Sequence, residues 1–424
     1  MEKKRWLVVV GALLVQLCLG AIYAWGAFTK ALQDPAGAYG FSATQTQAIF
    51  AAGLASFAVV MILAGRWQDK IGPRKVAIWG GLVLGLGYIL AGLLGGTNFW
   101  TMFLFIGIIG GAGIGLGYVC PIAACVKWFP DLKGFVTGLA VAGFGAGAFI
   151  FVKLAGAWGN FITLYGINGT FTIFGIIFLV SVIIGALMLS NPPAGWKPAG
   201  WVPAEAKATT PVAKAEDFTQ GETIRTHQFW MLWLAFVFSA GAGLMVIGCL
   251  RNFGEMEGGL SASAAGSALG LLALFNGLGR IVWGSVSQKL GARKAIGIMT
   301  ILQAIMLFML PTMGSTEMTL TIAACWVGFN FGGNFALFPL ATAESFGTKN
   351  LGANYGAVFT SYGVGGIIMP ILAGQVWDTL GSFYWAFIVA GVICILATFL
   401  AWIVKPPHHY NTHKATEQKA TCCC

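Results

Sequence analysis

Arg280 is the residue best placed to do chemistry. It sits in the apolar run from Leu269 to Lys294 (LGLLALFNGLGRIVWGSVSQKLGARK), which ends in the basic cluster Lys289, Arg293 and Lys294. With Lys289 at the water interface, a helical rise of ~1.5 Å per residue sets Arg280 roughly 13 Å deeper, near the middle of a bilayer core ~30 Å thick. A guanidinium at that depth costs from about 2.5 to above 10 kcal/mol and ordinarily faces a bundle interior or a polar cavity. The bland alternative is snorkelling, with the side chain bent back to the headgroups. Asn276, one turn earlier on the same face, supplies a hydrogen-bonding neighbour. An anion would complete the site.

The surrounding chain must hold that charge in an apolar setting, and its composition says how. Of 424 residues 58% are hydrophobic and 9% charged, 61 are glycine, and the mean hydropathy is +0.81. This describes a multi-pass membrane protein with the bilayer as its partner. The net charge of +10 falls in short clusters between apolar runs, as topogenic charges do, and not in a nucleic-acid-binding stripe. The nine cysteines lack zinc or disulfide-framework spacing, and all four histidines lie outside the apolar runs, which argues against a metal site or an embedded acid–base enzyme. No cofactor is expected. A sensor would append a sizeable output domain, and a passive channel would lack paired halves.

Twelve apolar runs of spanning length fall near 6–30, 45–65, 76–95, 99–126, 134–156, 163–189, 228–250, 262–286, 294–312, 317–340, 351–377 and 381–404. They divide into an N-terminal six-helix bundle (1–190), a Pro- and Ala-rich linker (191–226), a C-terminal six-helix bundle (227–405) and a polar tail (406–424). Of the 24 Lys and Arg residues, 20 lie on the side of the termini and linker, so the positive-inside rule makes that side cytoplasmic. The tail carries His408, His409, His413 and Cys422 to Cys424 and reads as solvated, not as a metal site.

The halves are marked by a repeat. Gly65-Arg66-Trp67-Gln68-Asp69-Lys70-Ile71-Gly72-Pro73-Arg74-Lys75 returns as Gly284-Ser285-Val286-Ser287-Gln288-Lys289-Leu290-Gly291-Ala292-Arg293-Lys294, both glycines and three basic residues keeping one offset of 219. Paired six-helix halves around a midplane site are the plan of an alternating-access carrier. The pattern also resembles the G-x-x-x-D-K-x-G-x-R-K loop of the major facilitator superfamily, complete in the first half and with Gln288 in place of the acid in the second. Gly65 and Gly284 allow close helix approach. Asp69, with Lys70, Gly72, Arg74, Lys75, Lys289 and Arg293 around the two turns, is expected to latch one conformation by pairing with a base or a helix N-terminus.

Three further stretches, Gly20 to Trp25, Trp128 to Asp131 leading to Gly134 and Gly138, and Gly332 to Pro339, together resemble the oxalate/formate antiporter branch, which is allied to the monocarboxylate transporters. The resemblance implies that Arg280 binds a substrate carboxylate. It also implies a second cation, a lysine after an Asn-Tyr-Gly sequence, but this chain has Tyr362 there. A desolvated dianion facing one guanidinium leaves a carboxylate uncompensated, at several kcal/mol, so a small monocarboxylate such as lactate or pyruvate is the expected cargo. Asn276 would orient it. Tyr118, Phe331, Phe335, Phe359 and Tyr362 are candidate pocket walls, with Tyr23 and Phe28 from the first helix. No acid lies deep in a span, so the expected proton symport needs a proton entering with the anion or on a peripheral carboxylate paired with a base such as Lys30. Carboxylate exchange is the alternative. No obligate protein partner is expected, and the setting is the cell membrane, or the inner membrane in a Gram-negative bacterium.

Overall fold

The computed structural model describes residues 2–34, 37–156, 158–193, 195–198, 201 and 216–407. Among them are twelve helices long and apolar enough to cross a membrane. We number them α1 (Lys4–Trp25), α2 (Ala48–Ile71), α3 (Pro73–Leu94), α4 (Phe99–Trp128), α5 (Lys133–Ala155), α6 (Phe161–Met188), α7 (His227–Glu257), α8 (Ala264–Leu290), α9 (Ala292–Thr312), α10 (Glu317–Phe346), α11 (Leu351–Trp377) and α12 (Tyr384–Ile403). Their outward faces carry residues such as Val59, Leu63, Ile176, Val180, Ile305 and Phe399. An apolar exterior of this kind replaces water with acyl chains, while every helix satisfies its own backbone.

The packing repeats between halves. α1 lies on α5 and α6 as α7 lies on α11 and α12, α3 packs on α6 as α9 packs on α12, and α2 meets α4 as α8 meets α10. The two repeated turns match in backbone detail: Gly72 adopts φ 90°, ψ 158° and Gly291 φ 79°, ψ 152°. Each thereby breaks one span sharply enough for the next to start at the following residue, in a region that side chains with a Cβ disfavour. Prolines stand inside α4 and α10 at Pro121 and Pro339, nearly the same offset apart.

Two segments differ from the sequence expectation. α1 does not run as one helix to residue 30; it tightens into a 3-10 turn over Gly20–Trp25, and a separate helix follows at Gly26–Gln33. A Cβ at Gly20 would collide with the backbone of Phe144 in α5, so the tight crossing of α1 and α5 explains the glycine there. The end of the linker is also ordered. A capping box between Thr219 and Glu222 starts the short helix Gln220–Arg225. Phe218 N–H donates to Phe346 O at 3.0 Å, and the amide groups of Asn350 and Asn354 donate to Phe218 O at 2.9 and 3.1 Å. The stretch 202–215 and the tail residues His408, His409, His413 and Cys422 to Cys424 lie outside the described residues.

The halves touch along two seams, α5 against α8 and α2 against α11. Gly134 faces Gly284, Gly138 faces the backbone of Arg280, and Gly65 faces Gly352, each so closely that a Cβ would clash with backbone. These approaches begin at the basic end and reach only the middle of the molecule, at Gly145 with Gly277 and Gly363 with Ala58. Farther along α5, Phe149 and Val152 are exposed. The two halves are therefore closed on each other at the basic end.

Asp69 bridges the two halves at that end. Its carboxylate accepts from Ala353 N at 2.8 Å and Gly352 N at 3.4 Å, in the first turn of α11, and lies 3.6 Å from Lys127 Nζ. An anion at a helix N-terminus meets unsatisfied N–H groups and the positive end of the helix dipole. We expect Asp69→Asn to loosen the seam by about 1–2 kcal/mol, because a neutral acceptor replaces charge-assisted hydrogen bonds. Spin labels at exposed Lys70 and Lys349, on opposite halves, should then report a larger population of long distances; a distribution identical to that of the unsubstituted protein would remove Asp69 from this role.

Candidate substrate-binding site

Arg280 is 1% exposed and lies between the halves, not toward lipid or headgroups. The sequence explains how α8 brings it there: glycines let neighbouring backbones approach on both sides. Gly138 of α5 admits the backbone of Arg280 on one side; on the other, Gly279 admits that of Phe329 of α10, and Gly332 of α10 admits that of Asn276. α10 is fixed in turn by side-chain bonds. Trp283 Nε1 donates to Asn330 Oδ1 at 3.2 Å, and Ser239 Oγ of α7 donates to Asn334 Oδ1 at 2.6 Å.

The guanidinium is partnered by neutral groups only. Nε donates to Asn276 Oδ1 at 3.0 Å, and Nη1 donates across the interface to the carbonyl of Val141 at 2.7 Å. The ring of Phe335 lies 4.4 Å from its central carbon and the ring of Phe144, from the other half, 5.7 Å. Ring faces attract a desolvated cation. Three of the five guanidinium N–H donors have no hydrogen-bond partner among the described residues. No salt bridge to Arg280 occurs among them either. A buried cation with spare donors in a fork has the geometry that suits a carboxylate.

Aromatic rings from both halves surround it. Tyr118 contacts Phe57, Phe144 and Phe359 at centroid distances of 5.1, 5.3 and 5.3 Å. Phe335 contacts Phe331 at 5.3 Å and Tyr362 at 5.4 Å, and Phe359 stacks on Tyr362 at 5.2 Å. Tyr23 meets Phe144 at 5.6 Å, and its hydroxyl shares a 2.5 Å hydrogen bond with that of Tyr362. Tyr23 is only partly buried whereas Tyr362 is 3% exposed, and this hydroxyl pair ties α1 of one half to α11 of the other.

Of the residues expected from sequence, Asn276, Tyr118, Phe335, Phe359, Tyr362 and Tyr23 converge around Arg280, while Phe331 stands behind Phe335 and packs against Gly243 of α7. Phe28 does not join them: it packs inside the first half against Phe171 at 4.7 Å and Phe174 at 6.2 Å. Phe28 lies in the helix Gly26–Gln33 that continues from the 3-10 turn, on the side turned to α6. Contributors that were not anticipated include the Val141 carbonyl, Phe144 and Phe57. Gly138 was the one available clue to the first two, since a glycine pressed on the Arg280 backbone puts the next turn of α5 beside the guanidinium. Phe57 gave no signal, being one of 32 phenylalanines.

The residues expected to form a latch fall on the two repeated turns and the helix ends that lead into them. Arg74 Nε donates to Leu189 O at 3.2 Å, and Arg293 Nη1 donates to Val404 O, so both arginines tie a turn to the end of the last helix of their own half. Lys70, Lys75 and Lys289 are exposed at the basic end.

Two halves of six helices, related by a repeat and meeting at a midplane charge, define a secondary carrier. The chain belongs to the Major Facilitator Superfamily, whose family model matches residues 6–256 and 250–421. It is 30% identical to YhjX of Escherichia coli (strain K12), an uncharacterized transporter of that type, over 86% of this chain and 87% of the relative. It is 28% identical to the oxalate:formate antiporter of Oxalobacter formigenes over 95% and 92%. Among solved structures it resembles the superfamily transporter FucP in its outward conformation, with a TM-score of 0.67 at 16% identity, covering 94% of this chain and 99% of the other. It is accordingly a multi-pass membrane protein.

Proposed function

We infer that the protein carries a small monocarboxylate, of the lactate or pyruvate kind, across the membrane by alternating access, with Arg280 as the carboxylate receptor. The observation that carries this reading is the single cation among the described residues of the midplane cluster, with Tyr362 hydrogen-bonded to Tyr23 where a second cation would make a dianion site. Likeness to an oxalate:formate antiporter supports a carboxylate cargo, and the lone guanidinium favours one negative charge per cargo. Asn276 holds Nε and aims the fork; Tyr118, Phe335 and Phe359 exclude water around the cargo's carbon skeleton. The basic end faces the cytoplasm in this reading, with both termini on that side.

Proton symport is the coupling we favour, the proton arriving with the anion. Exchange of one carboxylate for another is the second reading, favoured because no carboxylate side chain contacts Arg280 among the described residues. Uptake of labelled lactate and pyruvate into proteoliposomes, with and without an inward proton gradient or internal carboxylate, decides both points. Stimulation by the gradient alone supports symport, stimulation only by internal carboxylate supports exchange, and no uptake of any monocarboxylate under either condition overturns the proposal.

Asn276→Asp tests the positioning role. An aspartate there is ionised at neutral pH and competes with cargo for Arg280, and its protonation releases the guanidinium. Uptake by the variant should therefore rise more steeply than wild type as pH falls. A pH profile parallel to that of the wild type would show that this position does not face the cargo-binding donor.

A further inference from the structure

A crevice of about 400 Å³ lies at the basic end of the second half, remote from Arg280, between the turn that joins α8 to α9 and the end of α12. Its walls include Gly291, Arg293, Lys294, Ile298, Glu344 and Trp402. The polar residues stand at one end. Arg293 spends Nη1 on the Val404 carbonyl, and its Nε is buried with no partner among the described residues. Lys294 is exposed, and two more exposed lysines, Lys289 and Lys405, sit next in sequence to Leu290 and Val404. Glu344 supplies one negative charge, and both of its oxygens are taken by the N–H of Ala292, at 3.0 and 3.1 Å. The surplus is cationic.

The other end of the crevice is apolar and opens on the outer surface of the bundle. Trp402 is 53% exposed, yet its indole packs directly over Gly297, which keeps the ring in place as a wall. Ile298 is one turn or so deeper than the charges. Ile305, two turns farther along the same face of α9, is also exposed, so an apolar track leads from the crevice toward the bilayer interior. The corresponding edge of the first half is occupied by the chain itself: leaving α6, it folds over so that Trp128 Nε1 donates to Ser190 O at 2.6 Å and Trp196 stands on Trp128 at 4.8 Å.

We propose that this crevice binds an anionic phospholipid, its phosphate held by Arg293 and Lys294 and one acyl chain lying on Ile298 and Ile305. A soluble anion would use the cations but not the track, and a zwitterionic lipid would use the track but present no net charge to the cations. Phosphate suits the site because its oxygens accept from a guanidinium and an ammonium together, and basic side chains near a membrane surface each contribute to anionic-lipid binding.

The test uses the full chain, purified in mild detergent and examined by native mass spectrometry against phosphatidylglycerol, phosphatidylcholine of matched acyl chains, and inorganic phosphate. Phosphatidylglycerol adducts should persist where phosphatidylcholine is lost. Lys294→Gln should weaken the phosphatidylglycerol adduct about fivefold, the effect of one basic side chain at a lipid headgroup, with Lys294→Arg restoring it. A tenfold excess of inorganic phosphate should leave the adduct in place. Equal retention of the two lipids, an unchanged affinity in Lys294→Gln with the fold intact by thermal melting, or displacement by inorganic phosphate would each overturn the assignment.

Discussion

Arg280→Gln is expected to abolish carboxylate uptake, by about a hundredfold or more, while the protein accumulates in the membrane at normal levels. Glutamine retains hydrogen-bonding capacity and much of the length, and loses only the charge. Removing one partner of a buried charge pair ordinarily costs about 2–5 kcal/mol of binding, which brackets that loss. Folding should not suffer, because the variant relieves the protein of a desolvated cation whose partners are a carbonyl, an amide oxygen and two rings. Arg280→Lys should fail almost as badly. Its ammonium cannot donate to Asn276, reach Val141 and present a fork at the same time. Isothermal titration with the substrate and uptake in proteoliposomes, normalised to protein content, check both variants. Wild-type transport by either would dismiss Arg280 as the receptor.

The second large effect concerns Tyr362. Replacing it with lysine sets a second cation against the same aromatic cluster, since Tyr362 packs on Phe335 and Phe359, the former lying over Arg280. At an effective dielectric constant of about 20, a unit charge some 5 Å from a carboxylate is worth roughly 3 kcal/mol. Preference for oxalate over lactate should accordingly rise by roughly a hundredfold, with lactate uptake falling because the extra cation is left uncompensated. Competition between the two anions for one labelled substrate measures the ratio. Were that ratio to stay at its wild-type value, counting cations would not explain cargo charge in this carrier. Tyr362→Phe is the matching control: it removes the hydroxyl bond to Tyr23 without adding charge, and should leave the ratio alone.

The spans and their pairing into halves were legible because hydropathy and basic clusters are local properties, and because an eleven-residue repeat fixes the register. Arg280 was legible for the same reason, being a charge where none is tolerated without purpose. What the chain did not disclose is how one helix crosses another. Phe28 lies within the apolar run of the first span, yet its ring packs into the core of its own half against Phe171. Val141 reaches Arg280 through its backbone carbonyl, a group every residue carries and no side-chain pattern reveals. The linker end was equally opaque: its binding to Asn350 and Asn354 depends on where α10 and α11 meet, a tertiary fact.

The bond from Arg280 to the Val141 carbonyl bears on the order of events in a cycle. In the proposed function one guanidinium would serve both α5, which lies in the opposite half, and the cargo. An arriving anion that draws the guanidinium toward itself must loosen the strut that braces the halves together at that point. On that proposal occupancy and movement would be two readings of a single exchange of acceptors, and a cargo too weak to win that exchange would be bound without being carried.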